Sequence, residues 1–440
     1  MTFPFKPIVL SVLTIFLPAT GIAADSVSRP AAGPVTFRDG NTIVFLGDSI
    51  THTWDQQVTY CEFIENFYYT RYPRIRLHFM NAGVSGSQTR HALKRFDQAV
   101  ARHKPDYVVM MLGMNDAGYT DFDAVRFRTY ETGMRNLLDR IAMLKAIAIP
   151  MIPTLLDYRY VELVPGASEE QKRDILGNVS TLGYYGTWLR EEALTRGIPV
   201  VDQAAGFTRF LWSIRRTDPN YMLAPDAIHP TPAGLWVMAH TFIEAMESER
   251  FTSSVDIFLR QGTVEGVAAG GELSDMGRTN GSIRFTFHAR SLPWVPPPEK
   301  DAVSKTGITF AYRHLQSGSV LSRERLRVIA LASNKYDLMI DGQRVGTFSH
   351  THLATGIDLQ DNSLTPQYRQ ALSVAALNAE KTHGPMYQLG LEYKKVEASG
   401  GLVDTVILAP LEARILEFEK RIYAANQPRP HRYEIIAAEP

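Results

Sequence analysis

Asp226 and His229 stand three residues apart in Asp226-Ala227-Ile228-His229-Pro230, and Gly47-Asp48-Ser49-Ile50 lies near the start of the chain. A serine hydroxyl is a weak nucleophile until a base takes its proton. His229 is the candidate base. Asp226 is the candidate acid that fixes the imidazole tautomer and stabilises the imidazolium. Acid and base share one short loop, so only two chain segments must meet. Two further punctuated sites lie between them, Asn81-Ala82-Gly83 and Gly113-Met114-Asn115-Asp116. The Ser49 and Gly83 backbone N–H groups and the Asn115 side-chain amide are candidate donors to an oxyanion. Gly83 has no Cβ, so a substrate could approach its amide closely. Loss of one such donor typically costs about 10²–10³ in rate. The four sites together point to ester cleavage.

The elements that must carry these residues are legible as apolar runs. Ile43–Leu46, Leu77–Met80, Tyr107–Leu112, Ile149–Leu155 and Pro199–Val201 read as buried parallel strands. Helical stretches separate them. Asp123 to Ala146 is the clearest, with Phe127, Tyr130, Met134, Leu137, Leu138, Ile141 and Leu144 at helical spacing. Thr231 is a candidate N-cap, and Pro232 suits the first position of a last helix. Strand–helix alternation predicts a parallel sheet covered on both faces, over residues 35–250. Gly83 follows Ser49 by 34 residues and Asn115 follows Gly83 by 32. One strand–helix–strand unit takes roughly 30 residues. All three therefore emerge at the carboxyl edge of one sheet, where open α/β folds bind ligands. Each motif alone has a plain reading as a turn, a helix cap or a loop exit. Their shared edge sets them apart.

This set resembles the SGNH hydrolase superfamily, also called GDSL esterases/lipases. The matching blocks are Gly47-Asp48-Ser49-Ile50, Asn81-Ala82-Gly83-Val84-Ser85-Gly86, Gly113-Met114-Asn115-Asp116 and Asp226-Ala227-Ile228-His229-Pro230. The resemblance implies a flavodoxin-like three-layer α/β/α fold over residues 41–249. It implies Ser49 as nucleophile, Gly83 and Asn115 completing the oxyanion hole, Asp226 and His229 finishing the triad, and no metal or other cofactor. The whole chain also looks like exported, multidomain members with a β-rich C-terminal addition.

Composition is that of a globular protein, with 45% apolar and 21% charged residues. Lys+Arg and Asp+Glu both number 46, and no basic run marks a nucleic-acid partner. Residues 1–24 read as a signal peptide. Lys6 precedes an apolar run from Ile8 to Leu17, too short to span a bilayer, and Gly21-Ile22-Ala23-Ala24 offers a cleavage site. The expected location is secreted or periplasmic. Cys61, the single cysteine, reads as a small buried hydrophobe.

Residues 251–410 read as a β-rich α+β region of unassigned role, and 411–440 as a C-terminal helix and tail. Ser282 to Arg290 alternates as a half-buried strand, and Trp294-Val295-Pro296-Pro297-Pro298 is a stiff connection. Asp341-Gly342 predicts a type I′ hairpin turn. Helices are expected at 366–381 and 411–425, with Pro428 and Pro430 stopping the second. Asp116 is expected to be structural. His350 and His352 could share one side of a strand and bind metal, but a solvated loop is the favoured reading. His52 lines the cleft or sits on the surface. Trp54, Tyr119, Tyr158, Tyr160 and Trp188 are candidates for a sugar platform or for core filling.

The expected activity is ester hydrolysis through an acyl-enzyme, chiefly of acetyl groups on carbohydrate. Lipase or thioesterase action on longer chains, and acyl transfer to a sugar, are alternatives. Another class of alternative is a carbohydrate- or cell-wall-binding protein without catalysis. A histidine base must be neutral, so activity should rise through the ordinary histidine range, near about pH 6.5.

Overall fold

The computed structural model describes residues 35–438, apart from 56, 164, 165, 167, 248, 280, 302, 333 and 401–404. The signal-peptide expectation falls outside the described residues. Five strands form one parallel sheet: β1 Thr42–Gly47, β2 His78–Gly83, β3 Tyr107–Met111, β4 Ile147–Ile152 and β5 Val201–Asp202. Their spatial order is β2-β1-β3-β4-β5, the flavodoxin-like order. In β1 to β4 each residue after the first is buried, which is why the runs lack polar alternation. The fourth strand stops at Ile152, three residues short of the expected Leu155.

Between these strands run α1 Tyr60–Arg71, α2 Thr89–Ala99, α3 Ala124–Met143, α4 Tyr160–Leu163, α5 Glu169–Arg196 and α6 Gln203–Arg215; α7 Pro232–Met246 follows. The chain steps outward from β1 to β2, then reverses to β3. Right-handed crossovers therefore put α1 and α2 on opposite faces of the sheet. Asp123 caps α3 by accepting from the Arg126 N–H at 2.6 Å, and Thr231 caps α7 by accepting from the Gly234 N–H at 3.3 Å.

After α7 the chain builds a second core. β6 Phe251–Arg260, β7 Thr263–Ala269, β8 Gly271–Thr279 and β9 Ser282–Ala289 lead, through α8 Ile308–His314 and α9 Ser317–Leu321, to β10 Arg323–Ile329, β11 Lys335–Ile340 and β12 Gln343–Ser349. α10 His350–Thr355 and β13 Ile357–Asp358 follow. Two sheets result, ordered β13-β10-β6-β7 and, with the last strand β14 Pro430–Ala437, β12-β11-β14-β9-β8. Ile257, Phe285, Phe287, Val328, Leu338 and Ile435 belong to one buried cluster fed by both sheets. The hairpin turn forms as expected, with positive φ at both Asp341 and Gly342. The expected C-terminal tail is corrected: residues 430–437 are the middle strand of a sheet, and Pro430 occupies its first position, where no ladder donor is lost.

The expected β-rich stretch 251–410 also holds helices, α11 Pro366–Lys381 and α12 Tyr387–Ser399, joined by a π-helical segment Thr382–Met386. With α13 Thr405–Ala425 they contribute to the core of the parallel-sheet unit. Val374, Leu389, Tyr393, Ile415 and Ile422 belong to the same buried cluster as Phe45, Tyr68 and Val109. Trp294 does likewise. Its ring stacks on Trp236 of α7 at 4.1 Å, and its indole N–H donates to the Phe63 carbonyl at 3.0 Å. Every residue of α1 is buried. Its polar side meets α11, where Lys381 Nζ lies 2.9 Å from Glu65 and 2.9 Å from the Tyr69 hydroxyl.

Candidate active site

The register aligns Gly47 of β1 with Gly83 of β2 and with Met111 of β3. The loops after these strands therefore leave the sheet side by side, at the point where the chain reverses direction between β1 and β3. Ser49 and Asn115 come from those loops. His229 reaches them from the loop before α7.

The Ser49 hydroxyl lies 3.0 Å from His229 Nε2, and His229 Nδ1 lies 2.7 Å from Asp226 Oδ2. Asp226 Oδ1 also accepts the backbone N–H groups of His229 at 2.7 Å and Ile228 at 3.0 Å. Burial alone would raise the Asp226 pKa. The bonds from the His229 ring and from these N–H groups outweigh it and hold the carboxyl below its ordinary value. An acid that stays ionised can orient the imidazole throughout. Ala227, inside this turn, has φ of +70°, a conformation that stores strain in a non-glycine residue. The Asp157 N–H donates to its carbonyl at 3.0 Å.

Ser49 is buried, and the Trp54 indole donates to its carbonyl at 3.0 Å. Asn115 is held at both ends of its amide. Its Oδ1 accepts from the Tyr119 hydroxyl at 3.0 Å, and its Nδ2 donates to the Ser87 carbonyl at 3.1 Å and lies 3.4 Å from Asp48 Oδ2. Asp48 is buried, and burial, with the nearby Asp116 charge adding to it, pushes its pKa up to about 7. Asp116 accepts from the Thr89 N–H at 3.0 Å and from the Thr89 hydroxyl at 2.7 Å, pinning the start of α2.

Gly83 is a correction. Its N–H donates to Asn81 Oδ1 at 2.8 Å within its own turn. A Cβ there would lie 2.6 Å from the His52 backbone nitrogen. Gly83 is glycine because backbone packs on it, and its donor is already engaged. Three residues on, Gly86 has φ of +81° and open space around it, and it precedes the Ser87 that holds Asn115. The sequence shows both glycines, and only the backbone conformation separates them.

Beside Ser49 and His229 lies a cavity of about 250 Å³, walled by Ile50, His52, Trp54, Val58 and Leu235 among others. His52 is buried, with Nδ1 3.1 Å from the Gly83 carbonyl, and burial lowers its pKa. Of the other aromatic candidates, Trp54 is 38% exposed at this cavity and Tyr119 orients Asn115. Trp188 packs on Phe127 and Tyr130 between α3 and α5, and so fills core. Tyr158 lines a separate cavity of about 410 Å³ with Leu211, Trp212 and Arg215, and neither Ser49 nor His229 is in its wall. Tyr160 starts α4 and is not among the described residues that line the Ser49 cavity. His350 and His352 lie on α10, where residues two apart do not share a face. Asp358 pairs instead with Arg323 at 2.9 Å. Cys61 is buried in α1, and burial raises its thiol pKa.

The comparisons with known proteins make the chain a carboxylic ester hydrolase. Residues 45–237 match the GDSL-like Lipase/Acylhydrolase family, so this stretch is an SGNH-type domain. An acetylxylan esterase from Geobacillus stearothermophilus is 26% identical over 229 residues, covering 48% of this chain and 95% of that protein. The solved structure of a gut microbial diltiazem-metabolizing enzyme is similar over 92% of this chain and 100% of its own, at 23% identity and a TM-score of 0.78. That second likeness extends the shared fold through the C-terminal sheets and helices.

Proposed function

We propose that the protein is a serine esterase that removes short acyl groups, chiefly acetyl, from carbohydrate. The observation that carries this reading is the continuous hydrogen-bonded line from Asp226 through His229 to Ser49, at 2.7 and 3.0 Å. Ser49 Oγ attacks the ester carbonyl while its proton passes to His229 Nε2. The carbonyl oxygen becomes an oxyanion facing the Ser49 and Gly86 N–H groups and Asn115 Nδ2. The contact of Asn115 with Asp48, at 3.4 Å, is long for a hydrogen bond, so that donor can turn to a substrate oxygen. Collapse breaks the ester C–O bond, and His229 returns the proton to the departing alcohol. Water, deprotonated by the same imidazole, then attacks the acyl-enzyme and releases the acid.

Two observations favour short acyl groups on a sugar. The cavity at Ser49, about 250 Å³, falls below the roughly 300–1,000 Å³ usual for drug-sized ligands. The curated relative is an acetylxylan esterase. The same reading places the mature enzyme outside the cytoplasm, from the Lys6 to Ala24 pattern. Ser49→Ala should lower turnover of 4-nitrophenyl acetate by more than about a thousandfold with the fold intact. Retention within about tenfold refutes the nucleophile. Activity that climbs from the acetate to the decanoate ester refutes the short-acyl reading.

A further inference from the structure

Arg95 of α2 is completely buried beneath the loops that carry Ser49 and Asn115. Its Nη2 donates to the Gly47 carbonyl at 2.9 Å and to the Ala82 carbonyl at 3.1 Å. Its Nη1 donates to the Ser87 hydroxyl at 2.9 Å. One guanidinium thus ties the end of β1, the end of β2 and the loop that precedes α2. These three stretches set Ser49, Gly86 and, through the Ser87 carbonyl, Asn115.

A guanidinium fully removed from water needs a counter-charge. Asp48, close by, belongs to the same buried cluster but makes no hydrogen bond to Arg95 among the described residues. The hydrogen-bonded counter-charge comes from the far end of the chain. Glu397 of α12 pairs with Arg95, and the same carboxylate oxygen accepts from the Ser87 hydroxyl at 2.6 Å. His91 Nδ1 faces its other oxygen at 3.7 Å. The two partners are 302 residues apart in sequence. The helix that carries Glu397 also abuts the wall of the Ser49 cavity, since a Cβ on Gly390 would lie 3.6 Å from His52 Cε1.

We propose that Glu397 is a positioning residue for the oxyanion donors, so that the C-terminal helices are part of the catalytic unit and not a separable carbohydrate-binding module. The proposal rests on the esterase reading above. Glu397 touches no substrate. It neutralises Arg95 and clamps Ser87, and through the Ser87 carbonyl it orients the Asn115 amide. Without it, the buried guanidinium keeps only backbone carbonyls and one hydroxyl as acceptors, and it would draw the Asp48 carboxylate toward itself and away from its present place.

The test compares Glu397→Gln, Arg95→Gln, Ser87→Ala and Ser49→Ala in the full chain, with kcat and KM for 4-nitrophenyl acetate and the thermal midpoint of each. Glu397→Gln should lower kcat by about ten- to a hundredfold, the scale of one lost oxyanion donor, and leave KM within about threefold. Ser87→Ala keeps the ion pair but removes the hydroxyl that accepts from Arg95 and donates to Glu397, and should lower kcat several-fold at unchanged KM. Arg95→Gln combined with Glu397→Gln should be no slower than the slower single variant, because both act through one network. A folded Glu397→Gln protein with kcat within about threefold of the parent overturns the proposal. If Glu397→Gln does not fold, unchanged kcat in Ser87→Ala overturns it instead. Full activity in Ser49→Ala would sink the esterase reading itself, a result distinct from either.

Discussion

The Glu65–Lys381 pair joins α1 of the hydrolase unit to α11 of the C-terminal region, and both side chains are essentially out of water, at 3% and 0% exposure. Burial raises the Glu65 pKa, and the Lys381 charge offsets part of that. Lys381→Met removes the ammonium and leaves a carboxylate with no cation beside it. Breaking one side of a buried pair typically costs about 3–5 kcal/mol. At about 2 cal/mol/K of unfolding entropy per residue, a chain of 440 residues should lose about 3–5 °C of thermal midpoint. The sign of the pH dependence follows. The Glu65 pKa in the folded variant rises further above its unfolded value, so the folded state holds a proton that the unfolded chain has released. Stability then falls as pH rises above the unfolded value, and the deficit should be larger near about pH 8 than near about pH 5. Glu65→Met with Lys381→Met replaces the pair by apolar groups of similar size and should recover to within about 2 kcal/mol of the parent. The assay is urea unfolding followed by tryptophan fluorescence at the two pH values, with calorimetry for the midpoint. A loss below about 1 kcal/mol in Lys381→Met, or two separate unfolding transitions in the parent, would refute a core shared between the two regions.

Asp48→Asn should stabilise the protein at alkaline pH. The parent carboxyl has its pKa pushed up to about 7 by burial, so its contribution is complete below the unfolded value and is lost as pH rises through about 7. The gain should reach a few kcal/mol above that range and vanish in acid, as read by unfolding at several pH values. Gly86→Ala should lower kcat by about ten- to a hundredfold with a stability loss of only about 1–2 kcal/mol, since it strains a positive φ in open space. Gly83→Ala should instead damage folding, because its Cβ would meet the His52 backbone at 2.6 Å; circular dichroism and kinetics together separate the two. Mass spectrometry of protein released from an exporting host should find the mature terminus close after Ala24.

The parallel sheet was legible because each of its strands is a short buried run bounded by helices, and the spacing from Ser49 to Gly83 to Asn115 carries the period of the fold. The Asp226–His229 loop was legible because acid and base are local. Gly83 and Gly86 sit three apart in one glycine-containing loop, and nothing in residue type reveals that one is closed by Asn81 while the other has a positive φ. Helix α1 carries Glu62, Glu65 and Asn66 on one side, residue types that are usually solvated. That face is dry because Lys381 and Asn378, more than three hundred residues away, supply its partners. Arg95 and Glu397 were hidden for the same reason: long-range charge pairs leave no periodic trace. Residues 430–437 looked like a tail because Pro428 and Pro430 stop the helix before it, yet their alternation of Tyr433 and Ile435 toward one side matches the core they enter.

In the proposed reaction the Ser49 oxygen becomes covalently acylated. Incubation with a fluorophosphonate ester, followed by intact mass and peptide mapping, tests it most directly. One adduct is expected, on the peptide containing Ser49, with parallel loss of esterase activity and no adduct in Ser49→Ala or His229→Ala. Labelling elsewhere, or complete labelling of Ser49 with activity retained, would contradict it.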